Sequence, residues 1–348
     1  EKEQKLLTYR AFQSQFGDSH IFYNTDFQTV FIEKVFTTMA DGKKVVAPRN
    51  GINDVLPGWC SGSKAYNHLR ERIITHTALE RNAVINAEWS VSTGKDVFPF
   101  LAGVETISGD CPVENYKVVV EVPEKIKLHY KLLNSSVEPE THPKDGFVIY
   151  TWQFSDVPQS IPESNVSGSA PTTPVLLFST QTDNASVLNW LSRSGNNPDK
   201  APDQALARIG KLPANLTLAQ KILKVQEIVA NEINTLYIPA NLAGFKSATP
   251  AEVWRRNSAT PFEKSALLAT LIRSLGADAE VCIKYPSYAA EEQLPFHLLS
   301  EPLVKAIAGT DTLYLSATHI NRNALEFCTP QTVIQSLSGH FKKTNGSQ

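Results

Sequence analysis

The sequence predicts an α+β protein in which an antiparallel β-sandwich precedes a helical core closed by a small sheet. Two observations carry that expectation. Up to about residue 190, alternating or β-branched runs recur between Pro- and Gly-containing breaks. From about residue 200, apolar residues recur at helical spacing instead, and strand-like runs return only near 279. The change sets the expected domains at 1–195 and 196–348, divided within "SGNNPDKAPDQ".

The strands follow in order. "TVFIEKVFTTMADGKKVVAP" alternates around Asp41-Gly42, a strong hairpin signal. "NAVINAEWSVST" (82–93), "YKVVVEVP" (116–123), "KIKLHYKLL" (125–133) and "FVIYTWQF" (147–154) read as further strands, with breaks at "VLPGW" and "HPKDG". A polar Pro/Ser-rich loop spans 155–174, followed by a strand at 175–181 and a short helix at 184–195.

The second half opens on "TLAQKILKVQEIVANEIN" (217–234), with Ile222, Leu223, Val225, Ile228, Val229 and Ile233 at helical spacing. The tetrapeptide SATP then occurs twice and opens a helix each time. In Thr249-Pro250-Ala251-Glu252 and Thr260-Pro261-Phe262-Glu263, Thr is the N-cap, Pro the first helical residue and Glu the partner that closes a capping box. The second helix carries Leu267, Leu268, Leu271, Ile272 and Leu275 and stops at Gly276. Glu263 reads as a capping residue and Lys264 as its solvated neighbour. Strands at 279–286, 296–307 and 311–318 close the chain.

Composition narrows the function. Net charge is −2, 42% of residues are hydrophobic and 20% charged, and no Lys/Arg block occurs. A nucleic-acid or anionic-membrane surface needs clustered cations and is excluded on that ground. No run of 18 apolar residues exists, so no transmembrane segment is expected. The chain starts Glu-Lys-Glu and holds one methionine, Met39, which suggests an N-terminal segment removed by processing or by design of the expressed chain and fits a secreted or periplasmic origin. Cys60, Cys111, Cys282 and Cys328 form no CxxC. Cys60 and Cys111 admit either a bridge or two buried thiols. His68 and His76 lack a third ligand, so neither metal nor other cofactor is expected. Trp59, Trp89 and Trp152 suit a core better than a binding platform.

"AEVWRRNSATPFEKSALLATLIRSLGADAEVCI" resembles the core of the transglutaminase-like superfamily, relatives of papain-type cysteine proteases. "YNHLRERIITHTALERNAVINAEWSV" (66–91) resembles the β-rich DUF3857-type domain that commonly precedes it. In that superfamily a helix-tip cysteine, a histidine on a neighbouring strand and an aspartate on the next strand form the triad. A helix N-terminus favours thiolate, and the carboxylate orients the imidazole. Carried over position by position, the cysteine falls on Pro261, the histidine on His297 and the aspartate on Ser316. Proline offers no nucleophile, and serine carries no charge. Cys282 and Asp311 are the candidate replacements, although a strand cysteine lacks helix-end activation and Asp311 sits at a turn. His319 reads as a surface residue.

The resemblance therefore implies a transglutaminase-like protein whose chemistry is lost, acting by binding or scaffolding a protein, peptide or glycan partner in the periplasm, at the cell surface or after secretion. The alternative is a cysteine-dependent amidase, peptidase or acyltransferase with a displaced nucleophile, which requires Cys282 or Cys328 beside His297.

Overall fold

Gly42 adopts φ +88°, and Met39 pairs with Lys43 across the turn, so the chain reverses at Asp41-Gly42 as its sequence requires. The computed structural model describes all residues except 13–14, 61–62, 160–170, 196–199, 245–246, 321–331, 339–341 and 346–348. Two units emerge, Glu1–Phe98 with Leu236–Phe245, and Pro99–Thr235 with Lys246–Gln348.

In the first unit, strands β1 (Lys2–Lys5), β2 (Asp18–Asn24), β3 (Gln28–Thr38), β4 (Lys44–Val46), β5 (Ile52–Val55), β6 (Leu69–Thr75) and β7 (Val84–Thr93) form two antiparallel sheets. Their orders are β1-β7-β3-β4 and β2-β6-β5. Alternation sends Ile21, Tyr23, Val30, Val35, Ile74 and Ala87 from both sheets into one core. A bulge at Ile32/Lys34 resets the β3–β7 register. Residues 236–245 complete a second cluster by adding Ile238 and Leu242 to Cys60, Tyr66 and Leu69. Asn24 Nδ2 donates to the Leu242 carbonyl at 2.7 Å within it.

The second unit begins with its own sandwich. Strands β8 (Ala102–Thr106), β9 (Val113–Pro123), β10 (His129–Leu133), β11 (Glu140–Lys144), β12 (Phe147–Val157) and β13 (Val175–Ser179) make the sheets β10-β13-β8 and β11-β12-β9. Trp152, fully buried, joins Ile107, Val120, Val122, Phe154 and Leu176 in the core between them. The α+β class holds, and sandwich packing occurs once in each unit. "HPKDG" is less of a break than its composition implies: His142 to Lys144 belong to β11, and only Asp145 (φ +53°) and Gly146 (φ +83°) turn. Pro143 is tolerated because β11 is an edge strand. The expected loop at 155–174 falls largely outside the described residues.

Helices α1 (Asn184–Gly195), α2 (Asp203–Ile209) and α3 (Leu218–Glu232) follow, then strand β14 (Asn234–Thr235). Helix α4 (Pro250–Arg256), strand β15 (Ser258–Ala259) and helix α5 (Pro261–Ser274) come next, with β15 running parallel to β14. Strands β16 (Asp278–Pro286), β17 (Glu301–Ala308), β18 (Asp311–Leu315), β19 (Thr332–Ser336) and β20 (Lys342–Asn345) form the antiparallel sheet β18-β17-β16-β19-β20. Helix α5 packs on β16 and β17 and against α3. Leu267, Leu268, Leu271 and Ile272 are fully buried there, each contributing about 1.5–3 kcal/mol relative to an exposed side chain.

Candidate functional site

Both SATP copies fold as their chemistry dictates. Thr249 and Thr260 each accept from the amide three residues on, and Glu252 and Glu263 reach back to the cap amides. Proline occupies the first helical position in both, where a backbone N–H would have no intrahelical partner. The caps differ in surroundings. Glu252 is exposed, whereas Glu263 is buried and engaged on every side. Its Oε2 accepts from Thr260 N at 2.8 Å and lies 2.7 Å from an Arg256 guanidinium nitrogen. Its Oε1 accepts from Ala248 N at 2.9 Å.

Lys264 corrects the sequence reading. It is fully buried rather than solvated. Its Nζ donates to the carbonyls of Ala230 (3.1 Å) and Ile233 (2.7 Å) and to Thr235 Oγ1 (2.9 Å). The ammonium thus satisfies carbonyls at the C-terminal end of α3, where the helix dipole is negative. Burial alone lowers its pKa to about 8.

His297 also differs from the expectation of a strand residue. It sits on a 3₁₀ turn, Phe296–Leu299, just before β17. The imidazole centroid lies 5.1 Å from that of Phe100, 5.9 Å from Phe296 and 6.1 Å from Trp190, all approached edge-to-face. Burial drives its pKa down to about 3, so the ring is neutral at physiological pH. This is the environment of an aromatic core member.

Ser316 follows the end of β18, one step past the pair Val304↔Leu315. Continuing that register would set it opposite Leu303, six residues beyond His297. Its hydroxyl is engaged by Thr318 Oγ1 (3.0 Å) and by His319 Nδ1 (3.4 Å). Its carbonyl accepts from Nε2 of Gln226, which also donates to the His319 carbonyl. Gln226, fully buried on α3, thereby fixes the loop that carries Ser316. Asp311 is exposed and opens β18, five residues from Ser316 and roughly 16 Å away along an extended strand.

Cys282 points into a cluster with Leu303, Tyr314 and Ile334, fully buried. Burial and the Glu280 carboxylate push its thiol up to about 12. Cys60 and Cys111 are free thiols, and Cys328 lies outside the described residues. His68 lies tilted against Tyr66, ring centroids 6.1 Å apart, while His76 Nε2 meets Ser19 Oγ at 3.0 Å in the first-unit interior. Among the described residues no three His, Cys, Asp or Glu side chains converge on one point. Trp89 packs against the first-unit core, and Trp59 lies partly exposed against Phe22.

The fold recurs in a solved structure. No curated protein matches it. Along 99% of its length it superposes on 67% of a provisionally named protease from Parabacteroides distasonis, with TM-score 0.87 and 27% identity. A provisionally named cysteine protease from Cytophaga hutchinsonii aligns over 71% of this chain and 80% of its own, with 11% identity and TM-score 0.31. The periplasmic domain of TgpA from Pseudomonas aeruginosa aligns over 85% of this chain and 88% of its own, with 12% identity and TM-score 0.27. No helix among the described residues is long and apolar enough to cross a membrane. Residues 1–160 match the family described as Domain of Unknown Function with solved-structure structure (DUF3857), the family that the strands around 66–91 resemble.

Proposed function

We propose that the chain is a catalytically inactive transglutaminase-like protein that binds or scaffolds a peptide, glycan or protein partner outside the cytoplasm. The observation that carries this reading is Pro261 at the tip of α5, where the superfamily's nucleophile would stand. A proline there supplies neither a side-chain nucleophile nor an amide hydrogen. The candidate replacements among the described residues are poorly suited to its role. With its pKa near 12, Cys282 is about one part in 100,000 thiolate at pH 7. With its pKa near 3, His297 is a poor proton acceptor for any thiol. Ser316 and Asp311 do not restore a carboxylate at the third position. In this reading residues 1–195 form the DUF3857-type domain and 196–348 the degenerate transglutaminase-like domain.

The protease name carried by the Parabacteroides distasonis protein favours the alternative of a cysteine amidase, peptidase or acyltransferase with a displaced nucleophile. Assay of the purified chain against fluorogenic amides, esters and amine-acceptor pairs separates the two. No turnover above background is expected from the chain as it stands. Turnover that iodoacetamide abolishes would overturn the inactive reading. Activity gained only in the double variant Pro261→Cys, Ser316→Asp supports it. Cell fractionation of the source organism tests the extracytoplasmic placement.

A further inference from the structure

At the end of α5 away from Pro261, an open cavity of about 160 Å³ is lined by Arg273, Asp278, Ala279, Glu280, Lys305 and Ile307. The β16–β17 register sets Asp278 opposite Ile307 and Glu280 opposite Lys305, so these four share one sheet face. On its other side β16 pairs with β19 from Cys282 to Pro286. Arg273 reaches the Ala279 end of β16. One terminal guanidinium nitrogen donates to the Ala279 carbonyl at 3.0 Å, and the other donates to Thr270 Oγ1 at 3.0 Å.

Both acceptors are neutral. The guanidinium is therefore fixed in orientation while its charge stays uncompensated by any carboxylate among the described residues. Glu280, by contrast, is already engaged by Lys305 at 3.4 Å and by the hydroxyls of Ser336 and Ser338. Asp278 is exposed and has no ion-pair partner among the described residues. One cavity thus presents an oriented cation and an anion that do not pair with each other. A phosphate would meet Asp278, and a simple amine would meet Arg273. A molecule carrying both charges complements both, and a pre-oriented guanidinium loses little freedom on holding a carboxylate.

We propose that this cavity binds a small amino carboxylic acid zwitterion, its carboxylate on Arg273 and its ammonium on Asp278. Calorimetric titration of the full chain with glycine, β-alanine and γ-aminobutyrate, and with acetate, methylamine and inorganic phosphate as controls, tests it. At least one zwitterion should bind about tenfold or more tightly than acetate or methylamine. Asp278→Asn should erase that margin without weakening acetate. Arg273→Gln should abolish zwitterion and acetate binding alike. If Arg273→Gln fails to fold, Asp278→Asn alone decides. Zwitterions no tighter than the controls, phosphate as the tightest ligand, or margins unchanged in Asp278→Asn would overturn the assignment.

Discussion

The ammonium of Lys264 lies 2.7 Å from the carbonyl oxygen of Ile233, which sets a cation from the tip of α5 against the end of α3 inside the core. Among the described residues no carboxylate accepts from that ammonium; its acceptors are two carbonyls and a hydroxyl. The contact joins the two helices at the parallel bridge between β14 and β15.

Replacing Lys264 by Met should cost about 2–3 kcal/mol, because two buried carbonyls lose a charged donor. The pH response distinguishes this from a packing effect. The folded-state pKa near 8 lies below the usual 10.5, so the native protein binds the proton less readily than the unfolded chain. Its contribution therefore favours the native state increasingly from pH 8 to 10.5, by up to about 3 kcal/mol. Urea unfolding across that range should show the rise in the original chain, and Lys264→Met should lack it.

His297 gives the opposite end of the scale. Its folded pKa near 3 lies below the usual 6.5, so its contribution to stability is complete above pH 6.5 and is lost as pH falls toward 3. The slope approaches about 1.4 kcal/mol per pH unit within that window. His76, lowered by burial and by the Lys2 charge, acts in the same direction. His297→Phe should remove its part of the acid slope in thermal melts between pH 6.5 and 4. An unchanged slope would show that the imidazole is better solvated than its aromatic surroundings imply.

The two caps offer an internal comparison. Thr249→Ala removes an exposed capping box and should cost about 0.5–1 kcal/mol. Thr260→Ala removes a buried one whose glutamate also holds Arg256 and Ala248, and should cost nearer 2 kcal/mol. Chemical denaturation of the two variants side by side measures the gap.

Alkylation separates the thiols. Among the cysteines of the described residues, Cys111, half-buried, should react with iodoacetamide first at pH 7.5. Cys282 should label only on unfolding, because its burial disfavours thiolate. Peptide mapping of partially labelled native protein reads the order, and early modification of Cys282 would revive the displaced-nucleophile enzyme.

What the sequence made legible was local. A capping box closes within four residues, and Asp41-Gly42 turns because of its own backbone freedom, so both could be read without knowing the rest of the chain. His297 could not be read that way. Phe100 and Trp190, two of the rings around it, are more than a hundred residues distant in sequence. Burial of Lys264 likewise depends on α3 ending beside α5, and helical periodicity does not reveal that meeting. Gln226 follows Val225 in an apolar helix, and nothing in its neighbourhood signals that it fixes the 316–319 loop. Periodicity reports which face is apolar, while tertiary contacts decide which polar groups go inside.

Residues 236–245 have a bearing on biosynthesis. They bring Ile238 and Leu242 to the N-terminal sheets from a point nearly 140 residues after the first stretch of that unit ends at Phe98. A nascent chain emerging at 5–20 residues per second therefore carries an unfinished first body for roughly 7–30 s. Truncations after residue 98, or after the DUF3857 match at 160, would omit that late ten-residue piece and leave Tyr66 and Leu69 open to aggregation. Supplying 236–245 in trans, or grafting it by a short linker, is the route to an isolable N-terminal half.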